Sequence, residues 1–238
     1  YLRGGGKLFL LLGPALDRGV TRYASLGLES LTARWGVALP KTIVVDPVGI
    51  PGEQPLMTWA TRDGYGDHPV GRAMAGKLTV WPLARELRVV KTKVKGLSVA
   101  PLVRTSPRGW AESDLASLKG QRPLSYDPAV DRKGPVIVAA AVSHGPTPQM
   151  VVFGSERGLL IRRLAAPTLR DYNRDLFLAA LAWLSDEMAL VAIGPKRPEH
   201  QRLALDDKQL GKTFLIVVVV MPLMALCGGL VAWRRRRR

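Results

Sequence analysis

The last 26 residues restrict this chain more than any other stretch. Positions 213–233 read T-F-L-I-V-V-V-V-M-P-L-M-A-L-C-G-G-L-V-A-W and carry no charge. At about 1.5 Å per residue in a helix, this run reaches roughly 30 Å, the thickness of a bilayer's hydrocarbon core. A helix in a soluble core rarely runs so far without a polar position. Pro222 is tolerated in a membrane helix. Trp233 stands at the last turn, where an indole favours the headgroup level. The run predicts one transmembrane helix over 213–233.

Arg234, Arg235, Arg236, Arg237 and Arg238 follow the run. Positive residues beside a span stay in the cytoplasm. On the other flank Lys208 and Lys212 are partly offset by Asp206 and Asp207. The expected topology is therefore a cytoplasmic C-terminus at the inner (cell) membrane, with positions 1–212 outside the cytoplasm. A chain anchored only at its end would have to carry five arginines across the bilayer. An upstream signal or membrane helix is thus expected, and the α/β portion reads as N-terminally truncated. Within the run, Ala225, Gly228, Gly229 and Ala232 recur at three- and four-residue steps. They offer a small-residue face for close packing on another membrane helix.

Composition narrows the rest. A hydrophobic share of 47% supports a packed core, and Gly 24 with Pro 18 implies many turns. The single Cys227 lies in the apolar run. That removes a disulfide framework, a Cys-ligated zinc site and a soluble cysteine nucleophile. The net charge is +16, and subtracting the five terminal arginines leaves +11. Such a surface could meet nucleic acid, anionic lipid or an acidic protein. The topology, with no zinc finger, RNP-type or helix-turn-helix pattern, argues against nucleic acid. Membrane lipid is the expected neighbour of this charge.

Along the chain, positions 1–6 look like a helix end with a glycine C-cap. Positions 7–12 form an apolar run that fits a strand buried on both faces. Helical spacing follows over 21–35, then a short strand over 42–45. This order predicts a right-handed βαβ unit. Strands are expected over 77–81, 97–104, 136–142, 149–153 and 190–193, with an edge strand over 86–95 that shows Lys91, Lys93 and Lys95 to solvent. A short helix is expected over 113–118. Asn173 reads as the N-cap of a later helix, with Asp175 in its first turn. Leu176, Phe177, Ala180, Trp183 and Leu184 form its core face. The expected fold class is α/β, a Rossmann- or flavodoxin-like, mostly parallel sheet flanked by helices. It spans 1–193 and is followed by a juxtamembrane linker over 194–212, the membrane helix, and a basic tail over 234–238.

Few residues suggest chemistry. Gly154-Ser155-Glu156 closes a strand where a nucleophile could sit, but V-F-G-S-E-R-G departs from G-x-S-x-G by one position. His144, in a turn, and His200, in the linker, are the later histidines. The plainer reading of Ser155 is a helix N-cap. Asp63, Asp67 and His68 could ligate a metal, although D-G-Y-G-D-H-P reads more simply as turns. Asp46 ends a strand where α/β ligand sites form, and is more simply a turn former. Gly4-Gly5-Gly6 precedes a strand and lacks G-K-[ST], so it is no phosphate loop. No catalytic, metal or cofactor site is expected.

Several stretches together resemble a known family. They are Y-L-R-G-G-G-K-L-F-L-L-L-G-P, W-G-V-A-L-P-K-T-I-V-V-D-P, G-D-H-P-V, L-V-R-T-S-P-R-G-W-A-E-S-D-L, K-G-P-V-I-V-A-A-A-V, V-V-F-G-S, N-R-D-L-F-L-A-A-L-A-W-L-S-D-E and I-G-P-K-R-P-E-H-Q-R-L-A-L. In order and spacing, and with the membrane helix and basic tail after them, they are similar to the gliding-motility auxiliary family of ABC transporters. That resemblance covers essentially the whole chain. It implies an extracytoplasmic α/β domain, related to a domain of intraflagellar transport proteins, held beside an ABC permease and its ATPase. The family has no established catalytic residues to carry over. The expected function is a non-enzymatic auxiliary subunit that binds a partner or polymer. The alternatives are a freestanding membrane-tethered module for envelope glycan or lipid, and a tethered hydrolase using Ser155.

Overall fold

Two apolar strands joined by a two-residue turn set the architecture. The computed structural model describes residues 1–17, 22–48, 56–60, 62–118, 124–160, 167–188 and 215–237. The chain divides into two units, Tyr1–Gly194 and Pro195–Arg238.

In the first unit, strand β10 (Ile137–His144) turns at Gly145-Pro146 into β11 (Thr147–Phe153). His144 faces Thr147 across the turn. A turn this short joins only antiparallel neighbours. Gly145 has a φ of 56°, as such turns require. β7 (Leu97–Arg104) pairs antiparallel on the far side of β10, and β1 (Leu8–Leu11) lies parallel to β11. The order is β1-β11-β10-β7. The class is mixed α/β. The expected mostly parallel sheet is corrected, because β1–β11 is the parallel pair among the described strands and the hairpin sets the remaining pairings of this sheet antiparallel.

Both faces of this sheet are covered, which explains the unbroken apolar runs at 137–142 in β10 and 150–153 in β11. Val151 and Phe153 of β11, with Ala139 and Ala141 of β10, enter one core. Met150 and Val152, with Ala140 and Val142, enter the other. Successive side chains on a strand point to opposite faces. The first core takes Leu176, Phe177, Ala180 and Leu184 from helix α5 (Pro167–Ser185). Trp81 stacks on Phe153 at 5.5 Å and 8°, and Phe177 lies 4.5 Å from Phe153. The second core takes Trp35, Val37, Leu39 and Leu87.

Among the described residues the unit has three smaller sheets: β2 (Val37–Ala38) with β6 (Arg88–Val89); β3 (Ile43–Val45) with β8 (Trp110–Glu112) and β9 (Arg132–Lys133); and β4 (Met57–Ala60) with β5 (Thr79–Pro82). The predicted βαβ unit is not formed, since β1 and β3 lie in different sheets. The helix expected over 21–35 shrinks to α1 (Glu29–Arg34). Gly27 has a φ of 73°, which no helix accommodates, and Leu16 bridges Tyr23 ahead of it. The edge strand expected over 86–95 forms a ladder at Arg88–Val89, with a single bridge from Leu87 to Ile137 ahead of it. Lys91, Lys93 and Lys95 are exposed as read, but outside a ladder. The short helices α2 (Pro69–Arg72), α3 (Leu115–Leu118) and α4 (Arg157–Leu160) fill connections. The strand expected over 190–193 and the linker over 194–212 lie outside the described residues.

Asn173 is not a cap. α5 starts at Pro167, a residue suited to a first turn, so Asn173 sits inside the helix. Its side chain reaches β5 instead. Oδ1 accepts from Val80 N–H at 2.9 Å, and Nδ2 donates to Val80 O at 2.7 Å and Gly158 O at 2.8 Å. The amide satisfies the free edge of β5 as a neighbouring strand would.

In the second unit, a wide π-helical segment (Leu215–Val220) runs into α6 (Met221–Arg236). Pro222 stands at the start of α6, where its ring would clash with the carbonyl four residues back, and the wide segment lies directly before it. Val218–Arg236 is long and apolar enough to cross a membrane by length and composition.

Candidate functional site

The unit is knitted together by the buried stretch Ala84-Arg85-Glu86-Leu87. Ala84 O accepts from Val44 N–H at 2.7 Å, Arg85 N–H donates to Gly154 O at 2.6 Å, and Leu87 N–H donates to Ile137 O at 2.8 Å. Three separate strand segments therefore fix this backbone. Two opposite charges, both buried, stand side by side on it.

Their environments differ. The Glu86 carboxylate is fully engaged. Oε1 accepts from Arg132 Nη1 at 2.7 Å and Arg88 Nε at 3.1 Å; Oε2 accepts from Arg88 Nη2 at 3.1 Å and Thr42 Oγ1 at 3.3 Å. The Arg85 side chain is 2% exposed, yet its Nε and Nη1 have no hydrogen-bond partner. Burial lowers the pKa of its guanidinium, against the pull of Glu29, Tyr23 and Glu156. The Tyr23 hydroxyl is also buried without a partner, and burial raises its pKa. Glu29 is held by Leu26 N–H at 2.7 Å and Ser25 Oγ at 3.1 Å, and the Leu26 bond lowers its pKa. Glu156 pairs with Arg157 at 3.5 Å.

The residues read as candidates have other duties. Ser155 is buried and donates to Pro82 O at 2.7 Å, a bond that ties the end of β11 to β5. His144 is exposed, with Nε2 3.0 Å from Lys95 O. His200 lies outside the described residues. Asp46 is a turn former: Oδ1 accepts from Val48 N–H at 3.0 Å and Ser106 Oγ at 2.7 Å, and Oδ2 from Ser106 N–H at 2.8 Å. His68 caps α2, its Nδ1 accepting from Val70 N–H at 3.3 Å, and its ring meets Trp183 edge-on at 4.7 Å. Burial, helped by Arg72 and opposed by Asp67, lowers its pKa to about 4. Asp67 forms an exposed ion pair with Arg72 at 2.6 Å, and Asp63 lies in a short 3-10 turn. No group of three or more potential metal ligands gathers among the described residues.

The apolar helix presents its side chains outward. Val218, Met221, Met224, Leu226, Leu230 and Trp233 are 50–64% exposed. A side chain added at Gly228 or Gly229 would meet open space. Ala232 is exposed; the side chain of Ala225 lies outside the described residues. Arg234, Arg235 and Arg236 form the last turn, and the Arg237 guanidinium lies 4.1 Å over the Trp233 ring. Arg238 lies outside the described residues.

Arg85 and Tyr23 were not legible as a site from the sequence. The one available signal was a charged pair enclosed by apolar residues in W-P-L-A-R-E-L.

No protein-family model matches this chain, and no curated protein does. Among solved structures, it is similar to the mmIFT52 N-terminal domain, with a TM-score of 0.48 and 17% sequence identity over 78% of this chain and 67% of that one.

Proposed function

We propose that this chain is a non-catalytic, membrane-anchored auxiliary subunit of an ABC-type transport system. Its α/β unit lies outside the cytoplasm and binds a partner or polymer, and its helix docks on the permease. The observation that carries the anchor is the apolar helix, whose described side chains are exposed and which ends in arginines. Exposed apolar surface of this extent needs a non-aqueous neighbour. The resemblance in sequence order to the gliding-motility auxiliary family supplies the permease and ATPase as partners. Positive-inside topology supplies the orientation at the inner membrane. The open face at Gly228, Gly229 and Ala232, with Ala225 in the same helix, is the docking surface for a permease helix.

The test is purification of the intact protein from its native membrane in mild detergent. A permease and an ATPase should co-purify, and Gly228→Leu with Gly229→Leu should weaken that association. Repeated recovery of the protein without either subunit would overturn the assignment.

A further inference from the structure

The geometry points to a carboxylate-binding site at Arg85 and Tyr23, at the C-terminal ends of the parallel strands β1 and β11. This inference stands apart from the transporter reading.

Buried arginines normally find acceptors, because an unpaired buried charge is heavily penalised. Here the next residue shows what full satisfaction looks like: Glu86 has four donors, while Arg85 leaves Nε and Nη1 open. The backbone bonds on either side of Arg85 hold it in place. The two unpaired guanidinium nitrogens are thus carried by a segment whose backbone is fixed. The Tyr23 hydroxyl, within electrostatic reach of Arg85, adds another unpaired donor.

The location fits ligand binding. Arg85 is bonded to Gly154, directly after β11, and Leu12 N–H donates to Phe153 O at the matching end of β1. In α/β sheets, ligands collect beyond the carboxyl ends of parallel strands. Gly13 follows β1, and the Glu156 carboxylate lies where a Gly13 side chain would stand.

Donors without acceptors call for a group that only accepts, which an ionised carboxylate does with two oxygens. The number of charges decides between anions. Glu29 and Glu156 already act on Arg85, and each is bonded elsewhere. Beside those two carboxylates the ligand of smallest charge is repelled least, which favours a monoanion. A phosphate dianion would bring a second charge beside them and be repelled more.

The test uses the full chain in detergent micelles, labelled with 15N-arginine. The Nε–H resonance of Arg85 is identified by its loss in Arg85→Lys. Sodium acetate should shift it saturably, and Tyr23→Phe, which removes a hydroxyl that makes no hydrogen bond in the fold, should weaken acetate about tenfold. Acetate should raise the melting temperature of the parent and not of Arg85→Met. Glucuronate and alanyl-alanine then separate a sugar acid from a peptide end, and binding of either supports the site. A resonance that acetate does not move, equal acetate affinity in Tyr23→Phe, or a response to inorganic phosphate without one to acetate would each overturn it.

Discussion

Replacing Glu86 by alanine should destabilise the α/β unit more than any surface charge change. Its carboxylate joins Thr42, just before β3, to Arg88 in β6 and Arg132 in β9. Three sheet segments therefore depend on one buried group. Removing one partner from a buried ion pair costs about 3–5 kcal/mol, chiefly because the other charge is stranded. The side chains of Arg88 and Arg132 are 43% and 54% exposed, so water can take over their lost bonds. The low end of that range, about 3 kcal/mol, is expected. For a unit of this size each kcal/mol lowers the melting temperature by about 2–4 °C, so Glu86→Ala should melt roughly 6–12 °C below the parent. Glu86→Gln keeps the shape but turns an amide toward an arginine, and should fall between the two. Circular dichroism melts of the purified chain in detergent measure this. A cycle with Arg132→Ala should show strong non-additivity, because the two share one bond. If Glu86→Ala melts within about 2 °C of the parent, the carboxylate does not hold these segments together.

Other expectations follow from the same geometry. His68 has its pKa lowered in the folded state to about 4, below its ordinary value of 6.5, so protonation favours unfolding. Its contribution, at most about 3 kcal/mol, is complete above pH 6.5 and lost as pH falls towards 4. His68→Asn keeps an acceptor for Val70 N–H and should flatten that loss in acid melts; an unchanged slope would remove His68 as its source. Asn173→Ala deletes three hydrogen bonds and strands the Val80 backbone, for about 2–4 kcal/mol in denaturant unfolding. A periplasmically activated reporter fused after Arg238 should stay silent, and activity there would reverse the orientation.

The sequence disclosed some of this directly. Val138, Ala139, Val151 and Val152 belong to runs without a polar break, and burial on both faces is the reason. The same runs misled about direction. Buried apolar strands suggest a parallel sheet, whereas the two residues between His144 and Thr147 permit only a hairpin. Asn173 was misread because asparagine with a nearby aspartate is a frequent helix start; its long reach to Val80 leaves no mark in local sequence. Arg85 and Tyr23 are 62 positions apart, and nothing local announces that one leaves the other unpaired. Ser155, by contrast, lies one position off a nucleophile pattern, and its bond to Pro82 is a contact that local sequence does not announce.

Cys227 reports directly on whether the apolar helix lies within a bilayer. This residue is the chain's one cysteine and is exposed on α6. Native membranes containing the unmodified protein can be treated with a charged, membrane-impermeant maleimide, before and after solubilisation in SDS. A helix inside lipid predicts negligible labelling before solubilisation and full labelling after it. Rapid labelling of Cys227 in intact membranes would place the helix in water, outside the bilayer.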